Sequence, residues 1–351
     1  MRFIDEGERD ALRYFLVAKL ERTPRPKRTQ RMLLATWLVE IYLAKLNHLD
    51  DLLASTSLEG STSEEEGGGG EAQENVKLEK AIVDDELRDF LRTYRDALDK
   101  RTVFQLIDSH ARDDVMLHFA ELEGAHDRIV THWVVHQDWT HAIDALARQD
   151  DPELYYRFAP VSMRHQPAKM AEALRRRTDL DVRRLLPALA APLAFGATPE
   201  QLEHSTRYLQ HVVTQQGSTD PVVHNALVAL LATNVATDNT ALMRFLKSAP
   251  LDPATRKPYY DLDYALRTCR ANARVHACVL IYAKMRRFES SVDLALEHDE
   301  LELAKENADM PVDNDLLRKK LWLKIAKHVV SKKHDIKACV LLTLPHDVLS
   351  H

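Results

Sequence analysis

Apolar positions recur at three- and four-residue spacing along most of this chain, the pattern of helices that bury one face. The stretch 259–330 shows it most clearly. Ala277, Cys278, Leu280 or Ile281, and Tyr282 make one stripe, and Phe288, Val292 and Leu296 make the next, with Met285, Arg286 and Arg287 joining them. Stripes this narrow leave each helix unstable alone in water. A linker this short makes the two helices antiparallel and leaves a second apolar edge, which needs another pair beside it. The predicted fold class is all-α: an α-solenoid of stacked antiparallel helix pairs over 1–351.

The same spacing continues elsewhere. Leu12, Phe15, Leu16 and Leu20 precede a proline turn, Thr23-Pro24-Arg25-Pro26, and Leu33, Leu34, Trp37, Leu38, Ile41 and Tyr42 form a wide stripe after it. The chain opens beside an amphipathic helix without a polar capping segment, which reads as part of a longer protein. Further stripes run through Leu87, Phe90, Leu91 and Tyr94, through Val103, Phe104 and Ile107, and through Val115, Met116 and Phe119. An internal echo follows: Trp133 falls on Tyr282, Trp139 on Phe288, Ile143 on Val292 and Asp144 on Asp293. Tyrosines and tryptophans at these spacings read as core anchors.

Helix starts carry their own chemistry. Asp151-Pro152 and Asp220-Pro221 place a side-chain acceptor before a proline, and Thr198-Pro199-Glu200-Gln201 adds a capping box. Asp84, Asp85 and Glu86 suit a helix N-terminus, where the macrodipole favours negative charge. Pro160, Pro167, Pro187 and Pro192 predict short helices around 185–193, and 250–258 reads as a connecting loop.

One segment breaks the rhythm. Residues 55–76 hold a Glu triplet and four consecutive glycines and are expected to be a disordered acidic, Gly-rich loop. It reads as a surface insertion, with a tether or a phosphorylation site at Ser61, Thr62 and Ser63 as the functional alternative. Five of the nine glycines lie between Gly60 and Gly70, so the rest of the chain lacks the residues for tight hairpins or Gly-rich phosphate loops.

Charge narrows the partners. The net charge of -6 offers no broad basic field, which argues against nucleic acid or an anionic membrane surface. No run is long and apolar enough to span a bilayer, so membrane association is expected through partners. Cys269, Cys278 and Cys339 cannot all pair and sit in helical patterns, as reduced core thiols of a cytoplasmic protein do.

Candidate chemistry is sparse. His132 and His136 stand at i, i+4, a spacing that can place two imidazoles on one metal, with His126 and His141 nearby. No zincin glutamate lies between them, and exposed helix histidines are the simpler reading. No GxSxG elbow surrounds Ser290 or Ser291 near Asp293 and His298. No catalytic, cofactor or metal residue is assigned, and the chain is expected not to be an enzyme. Arg175, Arg176 and Arg177, with Arg183 and Arg184, form the densest basic patch, a face for an acidic helix or a phosphoinositide or simply a solvated surface. On 317–330, Leu321, Ile325 and Val329 are core positions, while Lys319, Lys320, Lys324 and Lys327 face outward. Arg175, Arg176, Arg177, Lys319, Lys320 and Lys324 are the candidate partner-facing residues.

Several runs resemble a known family. They are Tyr260-Asp261-Leu262, Tyr264-Ala265-Leu266-Arg267, Val292-Asp293-Leu294-Ala295-Leu296, Leu303-Ala304-Lys305 and the whole of 317–330, with Thr36 to Leu43 near the start. Together they resemble the clathrin-heavy-chain-repeat region of the vacuolar protein sorting-associated protein 18 family. The resemblance implies a core subunit of the HOPS and CORVET endolysosomal tethers, whose array holds sister subunits. Rab GTPases and SNAREs would be engaged indirectly, at late endosome, vacuole or lysosome membranes. The family's β-propeller has no blade-like strand repeat here. Its zinc-binding RING has no CxxC pair here, so a RING-based ubiquitin-ligase role does not carry over. Competing expectations are a vesicle-coat or nuclear-pore scaffold, a tetratricopeptide peptide-binder, which needs a period of about 34 residues, and a ubiquitin-ligase subunit.

Overall fold

The computed structural model describes residues 6–59, 69–195, 198–234 and 239–333. Among them are eighteen α-helices and one 3-10 turn, and the only β-type pairing is an isolated bridge between Leu251 and Pro258. The chain divides into two compact units, Met1–Gln149 and Asp150–His351.

In the first unit, α1 (Glu6–Arg22) and α2 (Arg28–Glu59) flank the predicted proline turn. Thr23 Oγ1 closes the end of α1 on the Lys19 carbonyl at 2.6 Å, and Arg31 reaches back to the Leu20 and Thr23 carbonyls. A long α3 (Gly69–Thr93) packs on α2, and α4 (Lys100–Ser109), α5 (Asp113–Glu123), α6 (His126–Val135) and α7 (Trp139–Ala147) follow. Leu38, Leu43, Leu46, Leu87, Leu91, Ile107 and Phe119 fill the shared core.

Three expectations change here. Residues 55–59 and 69–76 of the expected loop lie in α2 and α3, and 60–68 lie outside the described residues. The run Glu71 to Glu74 is made of helix-compatible residues, and Val76 packs on the core, so the helix propagates past the point where composition turns polar. Asp84, Asp85 and Glu86 sit inside α3, not at its start. Asp84 pairs with Arg88 one turn on, and Glu86 takes the guanidinium of the buried Arg13 from α1 at 3.1 Å. Trp37, expected as a core anchor, is 52% exposed, because the buried stripe of α2 runs through Leu34, Leu38 and Tyr42 instead.

The second unit runs through α8 (Pro152–His165), α9 (Pro167–Arg175), α10 (Val182–Phe195), α11 (Pro199–Thr214), α12 (Pro221–Thr233), α13 (Thr240–Ser248), α14 (Leu262–Ala271), α15 (Val275–Lys284), α16 (Phe288–Glu297), α17 (Leu301–Asp309) and α18 (Asp315–Lys333). Asp151, Thr198 and Asp220 cap their helices as the sequence predicts, with the full capping box at Thr198. Helix α10 runs through Pro187 and Pro192, where the sequence predicts short helices, and α8 runs through Pro160. Pro160 and Pro187 lie on exposed faces, so the carbonyls they leave free meet water while Phe158, Ala159, Leu185 and Ala188 stay buried opposite. Cys269 and Cys278 are buried thiols, and burial pushes them up to about 12 and about 11. Cys339 lies outside the described residues.

The short helices share one turn. Ala111, Gly124 and Gln137 have left-handed backbones 13 residues apart, and so do Ala273, Arg286 and Asp299. At each, the next N–H bonds to the carbonyl five residues back: Arg112 to Ile107, Ala125 to Ala120, Asp138 to Trp133, Arg274 to Cys269, Arg287 to Tyr282 and Glu300 to Ala295. This is the Schellman closure, which satisfies carbonyls that the helix end would orphan. The echo seen in the sequence is therefore structural: α6 and α15 start 149 residues apart, as do α7 and α16. A helix pair repeats every 26 residues, not the roughly 34 of a tetratricopeptide array.

Only one of the six turns uses glycine, so five carry a Cβ in a left-handed conformation. Arg286 is exposed and at φ 58°, so Arg286→Gly is expected to stabilise the second unit by about 0.5–1 kcal/mol. Gly124→Ala, at φ 66°, is expected to destabilise by about 1 kcal/mol. Denaturant titrations of the two variants against the parent chain check both signs.

Candidate interaction surface

The basic patch begins where α9 ends. Arg175 is exposed in the last turn. Arg176 turns back onto Glu172 at 2.6 Å. Arg177 is largely covered: its fork meets both oxygens of Asp179, its Nη2 donates to the Asp150 carbonyl at 2.8 Å, and it lies 5.2 Å over the Tyr155 ring. Its bond to Asp179 raises its pKa further above an already high value. Arg177 therefore closes the corner between the entry to α8 and the exit of α9.

The other arginines of the patch also find acids. Arg183 grips both oxygens of Asp220, the N-cap of α12. Arg184 grips both oxygens of Glu153 and sits 3.9 Å over the Tyr156 ring. These bonds hold the Asp220 and Glu153 carboxyls below the usual carboxylate range. Most of the positive charge is thus paired with acids of the same chain, while the side chains of Arg176 and Arg183 stay 71% and 63% exposed beside the exposed Arg175.

Helix α18 has two sides. Leu321, Ile325 and Val329 are buried at the predicted spacing. Lys320 reaches Glu289 at 2.9 Å and Lys324 reaches both oxygens of Asp293 at 2.7 Å, so these two lysines tie α18 to α16. Lys319 is exposed, and Leu316, Leu323 and Val330 stand out beside it on the same helical face. Leu316 is 81% exposed. The sequence pointed to the lysines and missed these leucines, because an apolar residue at helical spacing reads as core. In the first unit Phe15, Leu33 and Trp37 are likewise exposed, and a cleft of about 400 Å³ opens between Phe15, Lys19, Thr23 and Pro24.

The four histidines separate. His141 stacks on Trp133 and bonds to Asp138 at 2.7 Å. The Nδ1 of His126 is buried without a hydrogen-bond partner. His132 and His136 instead converge on Asp113, the first residue of α5. Burial pushes the His132 imidazole below its usual pKa, against the opposing pull of the Asp113 carboxylate, and nearby His136 adds to the lowering. Ser291 is buried with its hydroxyl 3.1 Å from the Val279 carbonyl and 2.9 Å from the Asn307 side chain, a bridge from α16 to its neighbours. Among the described residues no helix is long and apolar enough to cross a membrane.

Two family models match adjoining stretches of the chain, together residues 1–330. "VPS18, alpha-solenoid domain, first half" covers residues 1–125, and "VPS18, alpha-solenoid domain, second half" covers 126–330. Their junction falls before α6, whereas the compact units part after α7. The chain is 34% identical over 342 residues to the vacuolar protein sorting-associated protein 18 homolog of Danio rerio, covering 96% of this chain and 32% of that protein. It is 30% identical to the vacuolar membrane protein pep3 of Schizosaccharomyces pombe, over 96% of this chain and 35% of that protein. It is 32% identical to vacuolar sorting protein 18 of Arabidopsis thaliana, again over 96% and 32%. The chain spans about a third of the length of these relatives.

Proposed function

This chain belongs to the vacuolar protein sorting-associated protein 18 family through its α-solenoid, and on that premise we propose that it is a non-catalytic scaffold in an endolysosomal membrane-tethering complex of the HOPS and CORVET kind. Its partners are the other subunits of the tether. Rab GTPases and SNAREs are engaged through those subunits, and the protein sits peripherally on late endosome, vacuole or lysosome membranes. Its work is vesicle docking and fusion and protein transport to the vacuole or lysosome.

The observation that carries this reading is the match of both solenoid halves across 1–330. The fold supports it physically. Short helices joined by repeated Schellman turns expose a long series of outward faces, and partner contacts need such faces more than they need a pocket. Arg175 and Lys319, with Leu316 and Leu323 beside the lysine, are the proposed partner-facing residues: apolar area supplies affinity and cations supply orientation. Arg176, Arg177, Lys320 and Lys324 hold the helices that present them.

Affinity purification of the tagged full-length protein from its own cells tests the proposal. The other tether subunits are expected to co-purify in near-stoichiometric amounts. Recovery of the bait without any of them overturns it.

A further inference from the structure

A corner of the first unit gathers three metal-ligating side chains from two helices. Helices α5 and α6 are joined by the Gly124 turn and run antiparallel, which brings the start of α5 beside the end of α6. Asp113 is the first residue of α5, while His132 lies in the last turn of α6 and His136 is its C-cap. Spacing of i, i+4 sets the two imidazoles on one face, with ring centroids 4.4 Å apart.

The carboxylate faces both rings. His132 Nδ1 lies 3.9 Å from one oxygen of Asp113, and His136 Nε2 lies 3.4 Å from the other. One ligand atom from each residue falls within 4.8 Å of the other two. At these separations one carboxylate oxygen stands opposite a nitrogen of each ring.

We propose that Asp113, His132 and His136 form a divalent transition-metal site of the zinc class that staples α5 to α6. Tetrahedral zinc with bonds of about 2.0–2.2 Å sets its ligand atoms about 3.3 Å apart, close to the shorter contact seen here. The wider separations, 3.9 Å and up to 4.8 Å, close by rotation of side chains free to make it, because the Asp113 side chain is 60% exposed and that of His136 is 51% exposed. His132 supplies the fixed point, since only 10% of its side chain is exposed. Two imidazoles and one carboxylate suit zinc, nickel or copper better than magnesium or calcium, which prefer all-oxygen shells. The solvent side leaves a fourth position for water. The site is distinct from any cysteine-based zinc fold, because no cysteine takes part.

A zinc titration of the chelator-treated 351-residue chain by calorimetry, with melting curves in parallel, tests the site. One zinc per chain and a zinc-dependent rise in melting temperature are expected. Asp113→Asn is expected to weaken binding by about tenfold or more, and His136→Ala to remove it together with the melting shift. Both positions are exposed, so circular dichroism of these variants should match the parent. His141→Ala keeps full binding. Absence of zinc uptake by the parent overturns the proposal, and so does uptake that survives Asp113→Asn and His136→Ala combined.

Discussion

Leu321→Asp is expected to unfold the end of the second unit, lowering its melting transition by roughly 10 °C or more, which corresponds to about 4 kcal/mol for a unit of this size. Leu321 is fully buried against Val292, Ala295, Leu296, Ala304, Ala308, Ile325 and Val329. Removing its side chain alone costs about 2–5 kcal/mol through lost transfer energy and the cavity left behind. A carboxylate adds a desolvated charge for which that apolar cluster offers no partner. Leu323→Asp, two residues further along the same helix, is the control. That residue is 54% exposed, so its variant should melt within about 0.5 kcal/mol of the parent. Differential scanning calorimetry of the pair separates burial from helix propensity. Equal melting of both variants would remove the packing scheme proposed for α18.

Arg274→Ala is expected to cost about 3 kcal/mol, more than most single surface changes. Arg274 follows the left-handed Ala273 and is thrown outward by that turn toward α12. Its Nε donates to the Ala232 carbonyl at 2.9 Å, its Nη2 to the Asn234 carbonyl at 2.7 Å, and its Nη1 to Asn239 Oδ1 at 3.1 Å. Ala232 and Asn234 lie at the end of α12, where helix carbonyls lack partners of their own. One guanidinium thus caps a helix that closed about forty residues earlier and locks the next turn against it. Arg274→Lys should recover less than half of the loss, since an ammonium cannot span three acceptors in the geometry of a planar fork. Urea unfolding of the three proteins checks the order Arg, Lys, Ala, and faster amide exchange at the end of α12 should accompany the loss. An alanine variant as stable as the parent would show that the α12 carbonyls find other partners.

These residues also show what the sequence could reveal. Caps at Asp151, Thr198 and Asp220 were legible because a cap is a contact between residues two or three apart. The 149-residue echo was legible because stacked pairs demand similar core sizes. The turns were not legible. Alanine, glutamine, arginine and aspartate occupy five of the six left-handed positions, and a search for glycine finds only Gly124. Pro187 misled because a helix tolerates proline on a wet face when the opposite face is buried.

The surface was harder still. Arg183 meets Asp220 and Arg184 meets Glu153, pairs 37 and 31 residues apart that no local spacing announces. Lys324 meets Asp293 across 31 residues in the same way. Asp113 stands 19 residues before His132 and on another helix, so the histidine pair could be read from spacing but its carboxylate could not. The exposure of Trp37 and Leu316 depends on which side of a helix the next one packs. Tertiary structure decides that, and a periodic stripe alone does not.

Crosslinking mass spectrometry on the complex purified with the full-length protein tests the scaffold account most directly. It predicts crosslinks from Lys319 and Lys327 on α18 to other tether subunits, with Lys320 and Lys324 linking mainly within the chain to α15–α17. Other subunits recovered in the complex, but with no crosslink from any lysine of residues 6–333 to any of them, would contradict it.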